Sequence, residues 1–186
     1  MNKLYLYKPI SKTPLEIIEE FRKENPKYQN QKLAYAGRLD PMAEGLLLVL
    51  VEEECKKRKE YEKLDKEYEF EVLLGISTDT FDVMGKITKI NLEEIKILPK
   101  KITEIIKKYK GEILQEYPPY SSPKVNGKPL FWWARKNRLN EIKIPSKKIR
   151  IYDLRFKSKT VVNSKELLET VHNRIEKVNG DFRQGE

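Results

Sequence analysis

Histidine and cysteine are almost missing from this sequence, with one of each, His172 and Cys55, in 186 residues. A lone cysteine forms no internal disulfide, and the two together are too few for a zinc site of clustered Cys and His. Nucleophilic catalysis by a Cys–His couple would require these two residues to meet, and both lie in charged, helix-like surroundings. Also lacking is any apolar run long enough to cross a bilayer. The opening MNKLYLYKPISKTP has neither the apolar segment nor the small-residue cleavage site of a secretion signal, so a cytoplasmic location is expected. No internal repeat and no low-complexity linker is present. Whatever chemistry the chain performs falls to carboxylates, tyrosines, lysines or arginines, with no metal site expected.

What is abundant is charge. Charged residues make up 36% and hydrophobic residues 39%, with ten tyrosines and a mean hydropathy of −0.70. That profile is polar but carries enough apolar mass for a core, and the length suits a single domain over residues 1–186. Lys plus Arg number 38 against 29 Asp plus Glu, a net charge of +9. A polyanionic partner and a lysine-rich solvated surface account for that surplus equally well.

Along the chain, Thr13-Pro14-Leu15-Glu16 has the pattern of a capping box with proline at the first helical position. Leu15, Ile18 and Phe21 then recur at helical spacing until Asn25-Pro26. Next comes LAYAGRLDPMAEG, read as a loop punctuated by Gly37, Pro41 and Gly45, and then the apolar run 46–51, read as a strand buried on both faces. Residues 52–64 are charged and helical in pattern. Residues 67–74 alternate strictly, with Tyr68, Phe70, Val72 and Leu74 on one side, which predicts a half-buried strand ending at Gly75 in a polar turn. Residues 86–90 are expected to pair back on it.

Ile102, Ile105, Ile106 and Tyr109 mark an amphipathic helix over residues 99–109 that stops at Gly111. EYPPYSSPKVNGKPL reads as irregular, its prolines and glycine opposing regular structure, and FWWARKN as a short helix. The adjacent Trp132 and Trp133 cannot share one helical face, so one is expected in the core and the other partly exposed, with neither assigned to a ligand. A strand over 149–156, a helix over 164–175 capped by Ser164, and a terminal strand or turn over 178–184 complete the reading. Strands and helices without regular alternation predict an α+β fold around a largely antiparallel, mixed central sheet flanked by helices and loops.

Asp40 sits on a segment bounded by Gly37, Pro41 and Gly45, directly ahead of a buried strand. Such a segment can present one carboxylate at the edge of a rigid scaffold. Alone, Asp-Pro reads first as an ordinary turn dipeptide whose carboxylate bonds local amides. The longer segment Gly37-Arg38-Leu39-Asp40-Pro41-Met42-Ala43-Glu44-Gly45 resembles the catalytic motif of the TruB family of tRNA pseudouridine synthases. KPISKTP, DKEYEFEVLLGISTDTFDVMGKI and PPYSSPKVNGKPLFWWARKN resemble the same family in the same order, and together the blocks cover most of the chain. Synthases acting on ribosomal RNA also use a Gly-Arg-Leu-Asp type of motif, and Arg38 leans their way. The Pro-Met-Ala-Glu-Gly continuation favours TruB.

The resemblance implies a pseudouridine synthase fold and isomerisation of one uridine in transfer RNA, at position 55 of the TΨC arm, without a cofactor. Asp40 would be the carboxylate that attacks the sugar at C1′ or assists its ionisation. Arg183, in NGDFRQ, stands where the family sets an arginine against the aspartate; an arginine in a polar tail is otherwise solvated, and Arg38 is the reserve candidate. Tyr68 matches the family's active-site tyrosine beside the flipped base, while alternation alone reads it as a core residue. Tyr35 stands where the family has a histidine that helps to flip the base. Lys8, Arg38, Lys124, Asn126 and Lys128 resemble segments that meet the RNA. A C-terminal PUA domain, common in the family, has no counterpart within these 186 residues. A monomer needing no protein partner is expected. The alternative is an RNA-binding protein or folding chaperone that keeps the scaffold without turnover.

Overall fold

The computed structural model describes residues 2–40, 42–91, 93 and 98–178. The chain divides into two units, Met1–Phe70 with Val162–Glu186, and Glu71–Val161. In the first, the alternation of Leu4 and Leu6 with Lys3, Tyr5 and Tyr7 forms strand β1 (Lys3–Lys8), leucines turned in and tyrosines out. Helix α1 (Pro14–Glu24) follows with the expected start. Glu16 N–H donates to Thr13 Oγ1 at 3.2 Å, and Thr13 N–H donates to the Glu16 carboxylate at 2.6 Å. Its inner face buries Ile17 and Ile18.

Residues 33–36, read from sequence as part of a loop, form strand β2 (Leu33–Ala36), which pairs with β3 (Gly45–Val51) from Leu33↔Val51 to Ala36↔Leu48. Strand β3 is central, in the order β1-β3-β2, and all pairing is antiparallel. It is buried from Leu47 onward apart from half-buried Leu48, while Leu46 stays exposed. Ile17, Ile18, Leu47 and Val49 make the core, with Leu4, Leu6, Leu33 and Tyr35 packed against it. Truncating such a side chain to alanine costs about 2–5 kcal/mol. The charged run after β3 is helical as expected, a 3₁₀ helix (Glu52–Lys57) leading into α2 (Arg58–Tyr61).

The strand expected over residues 67–74 does not form: this segment joins no ladder among the described residues, and Tyr68, Phe70, Val72 and Leu74 are all exposed. Alternation reports two unlike faces, but a strand also needs a neighbour to complete its backbone hydrogen bonds. The pairing begins later, where β4 (Ile76–Thr78) meets β5 (Ile87–Ile90) through Ile76↔Ile90 and Thr78↔Ile87.

The second unit continues with helix α3 (Pro99–Tyr109), and Gly111, at φ +102°, then opens β6 (Gly111–Glu116). The proline-rich stretch is less irregular than its composition implies. Asn126 and Gly127, at φ +49° and +77°, close a two-residue hairpin of β7 (Lys124–Val125) and β8 (Lys128–Pro129), the Asn-Gly turn whose twist matches the paired strands. Helix α4 (Leu130–Arg135) buries Leu130 and Trp133, whose indole N–H donates to Val125 O at 3.1 Å, while Trp132 is half-buried, as the tryptophan spacing requires. Strand β9 (Ser146–Ile151) pairs with β6 and ends short of the expected Phe156.

Back in the first unit, helix α5 (Ser164–Glu176) is capped by Asn163 rather than Ser164, the asparagine side chain accepting from Lys165 N–H. Of the terminal segment 178–184 only Val178 lies within the described residues. The α+β class with antiparallel pairing is thus what the chain forms. Among the described residues no helix is long and apolar enough to cross a membrane.

Candidate active site

Asp40 lies in the connection from β2 to β3, residues 37–44. Gly37 at φ +92° and Gly45 at φ +146° frame it, and a Cβ added to either would meet nothing within 4 Å. The glycines therefore serve backbone conformation rather than close packing. Inside the connection Ala43 N–H donates to Asp40 O at 2.9 Å, a tight turn beside the catalytic candidate. Asp40 is exposed, and its carboxylate accepts no hydrogen bond among the described residues.

Register brings a second segment to this place. Lys8, the last residue of β1, pairs with Gly45, so the chain leaves the sheet at the edge where the Asp40 connection rejoins it. Tyr7, paired with Leu46, donates from its hydroxyl to Glu44 Oε2 at 2.5 Å. That hydrogen bond, more than partial burial, raises the Tyr7 pKa.

Lys8 corrects an expectation. Its side chain, assigned to RNA phosphates on sequence, is 0% exposed, and its ammonium donates to Pro9 O at 3.0 Å and Lys12 O at 2.8 Å. An ammonium closed off in this way leaves no face for a phosphate. Desolvation lowers its pKa, opposed by the charges of Asp40, Glu44 and Glu16, so three carboxylates lie within electrostatic reach of one buried cation.

The remaining expected residues are scattered. Tyr35, on β2, is half-buried against the core, with the Arg58 guanidinium 5.3 Å from its ring centre, so its ring is a packing element of the sheet. Arg38 is exposed beside Asp40 in sequence. Tyr68 is 70% exposed on the unpaired stretch before β4, not the core residue that alternation suggests. Arg183 lies outside the described residues. Lys124, Asn126 and Lys128 are exposed together on the β7–β8 hairpin of the second unit, with Lys128 Nζ 5.5 Å from the Trp132 ring. The Arg138 guanidinium lies over both indoles, at 5.8 and 5.4 Å, and forks onto Glu141 at 2.6 Å. Basic groups over a half-buried aromatic make a surface suited to sugar–phosphate and base contacts.

One polar cluster was not anticipated. In the second unit the Asp79 carboxylate accepts from Lys86 N–H at 2.8 Å and lies within electrostatic reach of the Tyr120 hydroxyl. Burial first, then the neighbouring Asp79 carboxylate, raises the Tyr120 pKa against the opposing charge of Arg135. Gly85 is required here, because a Cβ would come within 2.7 Å of Asp79 Oδ1. The signal was present in STDTFDVMG, where two aspartates among threonines precede a glycine, but that pattern also marks any polar turn.

Residues 25–178 match the TruB family pseudouridylate synthase (N terminal domain). Among curated relatives, the tRNA pseudouridine synthase B of Caldanaerobacter subterraneus subsp. tengcongensis is 37% identical over 151 residues, 81% of this chain and 51% of that protein. The proteins of the same name from Clostridium acetobutylicum, 35% identical over 83% of this chain and 51% of theirs, and Aquifex aeolicus, 33% over 81% and 50%, are similar to it as well. The chain spans about half the length of the curated relatives it matches. The matched region takes in the Asp40 connection, the β4–β5 turn and the β7–β8 hairpin, and the chain belongs to the TruB family of pseudouridylate synthases.

Proposed function

We propose that this chain isomerises a uridine of transfer RNA to pseudouridine, with Asp40 as the catalytic carboxylate and the uridine at position 55 of the TΨC arm as its target. The observation that carries the reading is an exposed carboxylate, free of hydrogen bonds to described residues, on a glycine-framed connection beside a buried cation. A carboxylate so placed is available to the sugar. The N1–C1′ bond breaks with Asp40 attacking C1′ or supporting its positive charge, the uracil turns in place, and a C5–C1′ bond forms as the carboxylate leaves C1′. A proton then leaves C5 and N1 gains one, so nothing is oxidised and no cofactor takes part.

Tyr68 serves at the flipped base, where an exposed phenol can stack and stand near C5. Arg183 pairs with Asp40. Arg38, Lys124, Asn126 and Lys128 contact the RNA, and Tyr35 supports the sheet edge from which the connection departs. The protein works in the cytoplasm as a monomer. Mapping pseudouridine by carbodiimide labelling after incubation with unmodified transfer RNA tests this. Wild type is expected to give product at position 55 and Asp40→Asn none. RNA binding without product from the wild type would instead identify a chaperone on the same scaffold.

A further inference from the structure

Among its described residues the Asp40 connection has little to hold it. At its frame glycines, both at positive φ, an added Cβ would meet nothing within 4 Å, and among the described residues one backbone hydrogen bond inside the connection, Ala43 N–H to Asp40 O, closes a turn. On that support alone the carboxylate would sample many positions. Among the described residues the direct side-chain tie from the connection to the sheet is the Tyr7 hydroxyl on Glu44, bridging positions 37 apart in sequence. Tyr7 has no evident role in packing: 59% exposed on the outer face of β1, it contributes little to the core that Leu4 and Leu6 complete. Its phenol is the part the fold uses. Glu44 is bound at one end by that phenol, and at the other it directly precedes Gly45, where β3 begins.

We propose that Tyr7 and Glu44 are positioning residues: their hydrogen bond clasps the connection to β1 and fixes Asp40 for turnover. The role rests on the assignment of Asp40 above. Neither residue touches the reacting uridine. The clasp acts on the geometry of the carboxylate four positions away, so it governs the chemical step and not RNA affinity. Tyr5, two residues earlier on the same face and 63% exposed, supplies an internal comparison, since it lacks the partner.

The test is single-turnover kinetics on unmodified transfer RNA with Tyr7→Phe, Glu44→Ala, Glu44→Gln, the Tyr7→Phe/Glu44→Ala pair, Tyr5→Phe and Asp40→Asn, with hydrogen–deuterium exchange of the 38–44 amides. For Tyr7→Phe and Glu44→Ala the rate is expected to fall roughly three- to tenfold, as losing one solvent-exposed hydrogen bond allows, with RNA affinity unchanged. Glu44→Gln keeps an acceptor oxygen and recovers most of the rate. The double variant is no slower than either single one, amide exchange quickens in the same variants, and Tyr5→Phe matches wild type. Additive losses, a change in affinity alone, or equal effects at Tyr5 would overturn the clasp. If Asp40→Asn retains activity, the catalytic assignment fails instead; if wild type shows no turnover, unaltered exchange in Tyr7→Phe and Glu44→Ala still overturns the clasp.

Discussion

Replacing Lys8 by methionine removes the ammonium while keeping a side chain of similar length. In the native chain that ammonium serves two backbone carbonyls, Pro9 O and Lys12 O, and is wholly screened from solvent. Each hydrogen bond from a charged donor contributes about 1.5–3 kcal/mol net. Against that loss stands relief of the desolvation that lowers the Lys8 pKa. None of the three carboxylates near Lys8 is buried, so removing the ammonium strands no charge in the interior. Taken together, Lys8→Met should destabilise the chain by about 2–4 kcal/mol, which in a protein of this size lowers Tm by roughly 5–15 °C. Circular dichroism melts read this directly. A companion measurement separates a structural lysine from an RNA-binding one: the slope of log affinity against log salt should not change, whereas removing a phosphate-neutralising charge would flatten it by about one unit. An unchanged Tm together with a flattened slope would refute the buried-cation account.

The capping box of α1 should titrate. Hydrogen bonds from the Thr13 amide and hydroxyl hold the Glu16 pKa below the usual carboxylate range, so the stabilisation is present above that range and is lost as pH falls through the lowered value. The Tm advantage of wild type over Glu16→Gln should therefore close on acidification, and Thr13→Ala at neutral pH should cost about 1 kcal/mol. On the hairpin, Lys124→Ala and Lys128→Ala should each weaken RNA binding and reduce the salt slope by about one unit for every phosphate no longer neutralised. Filter binding across a salt series reads the change, and a constant slope would count against a phosphate role.

Local chemistry made much of the fold legible. The cap of α1, the α3 stripe and the division of labour between Trp132 and Trp133 depend on residues close together in sequence, and each formed as read; the apolar run of β3 formed its strand, with Leu46 exposed and Leu48 half-buried on one face. Two misreadings came where the outcome depends on a distant partner, and a third, at Lys8, where the nearby backbone folds back on a side chain. Residues 67–74 alternate as well as any strand, yet alternation cannot reveal whether a neighbouring strand is at hand. Leu33–Ala36 was absorbed into the following glycine-rich segment because four residues carry too little pattern to declare a strand without its partner β3. Lysine is almost never fully buried without compensation, so composition places Lys8 on the surface. It lies inside because the carbonyls of Pro9 and Lys12 turn back on its ammonium.

The same distinction clarifies the candidate site. Sequence marked Asp40 through its frame of glycines but gave no sign of what surrounds it. Of the three carboxylates whose charges act on Lys8, Glu16 has the amide and hydroxyl of Thr13, and Glu44 has the Tyr7 phenol. Asp40 alone among them has no donor from the described residues. Within this set one buried cation faces three carboxylates, an unfavourable place for a polyanion unless further cations, such as the neighbouring Arg38, join it. That imbalance gives a physical reason to look for an arginine at Asp40, independent of the motif that suggested Arg183. Asp40 thus stands without a donor among the described residues, near a lysine whose ammonium is given to backbone carbonyls, whereas Glu16 and Glu44 are each tied to a donor of their own.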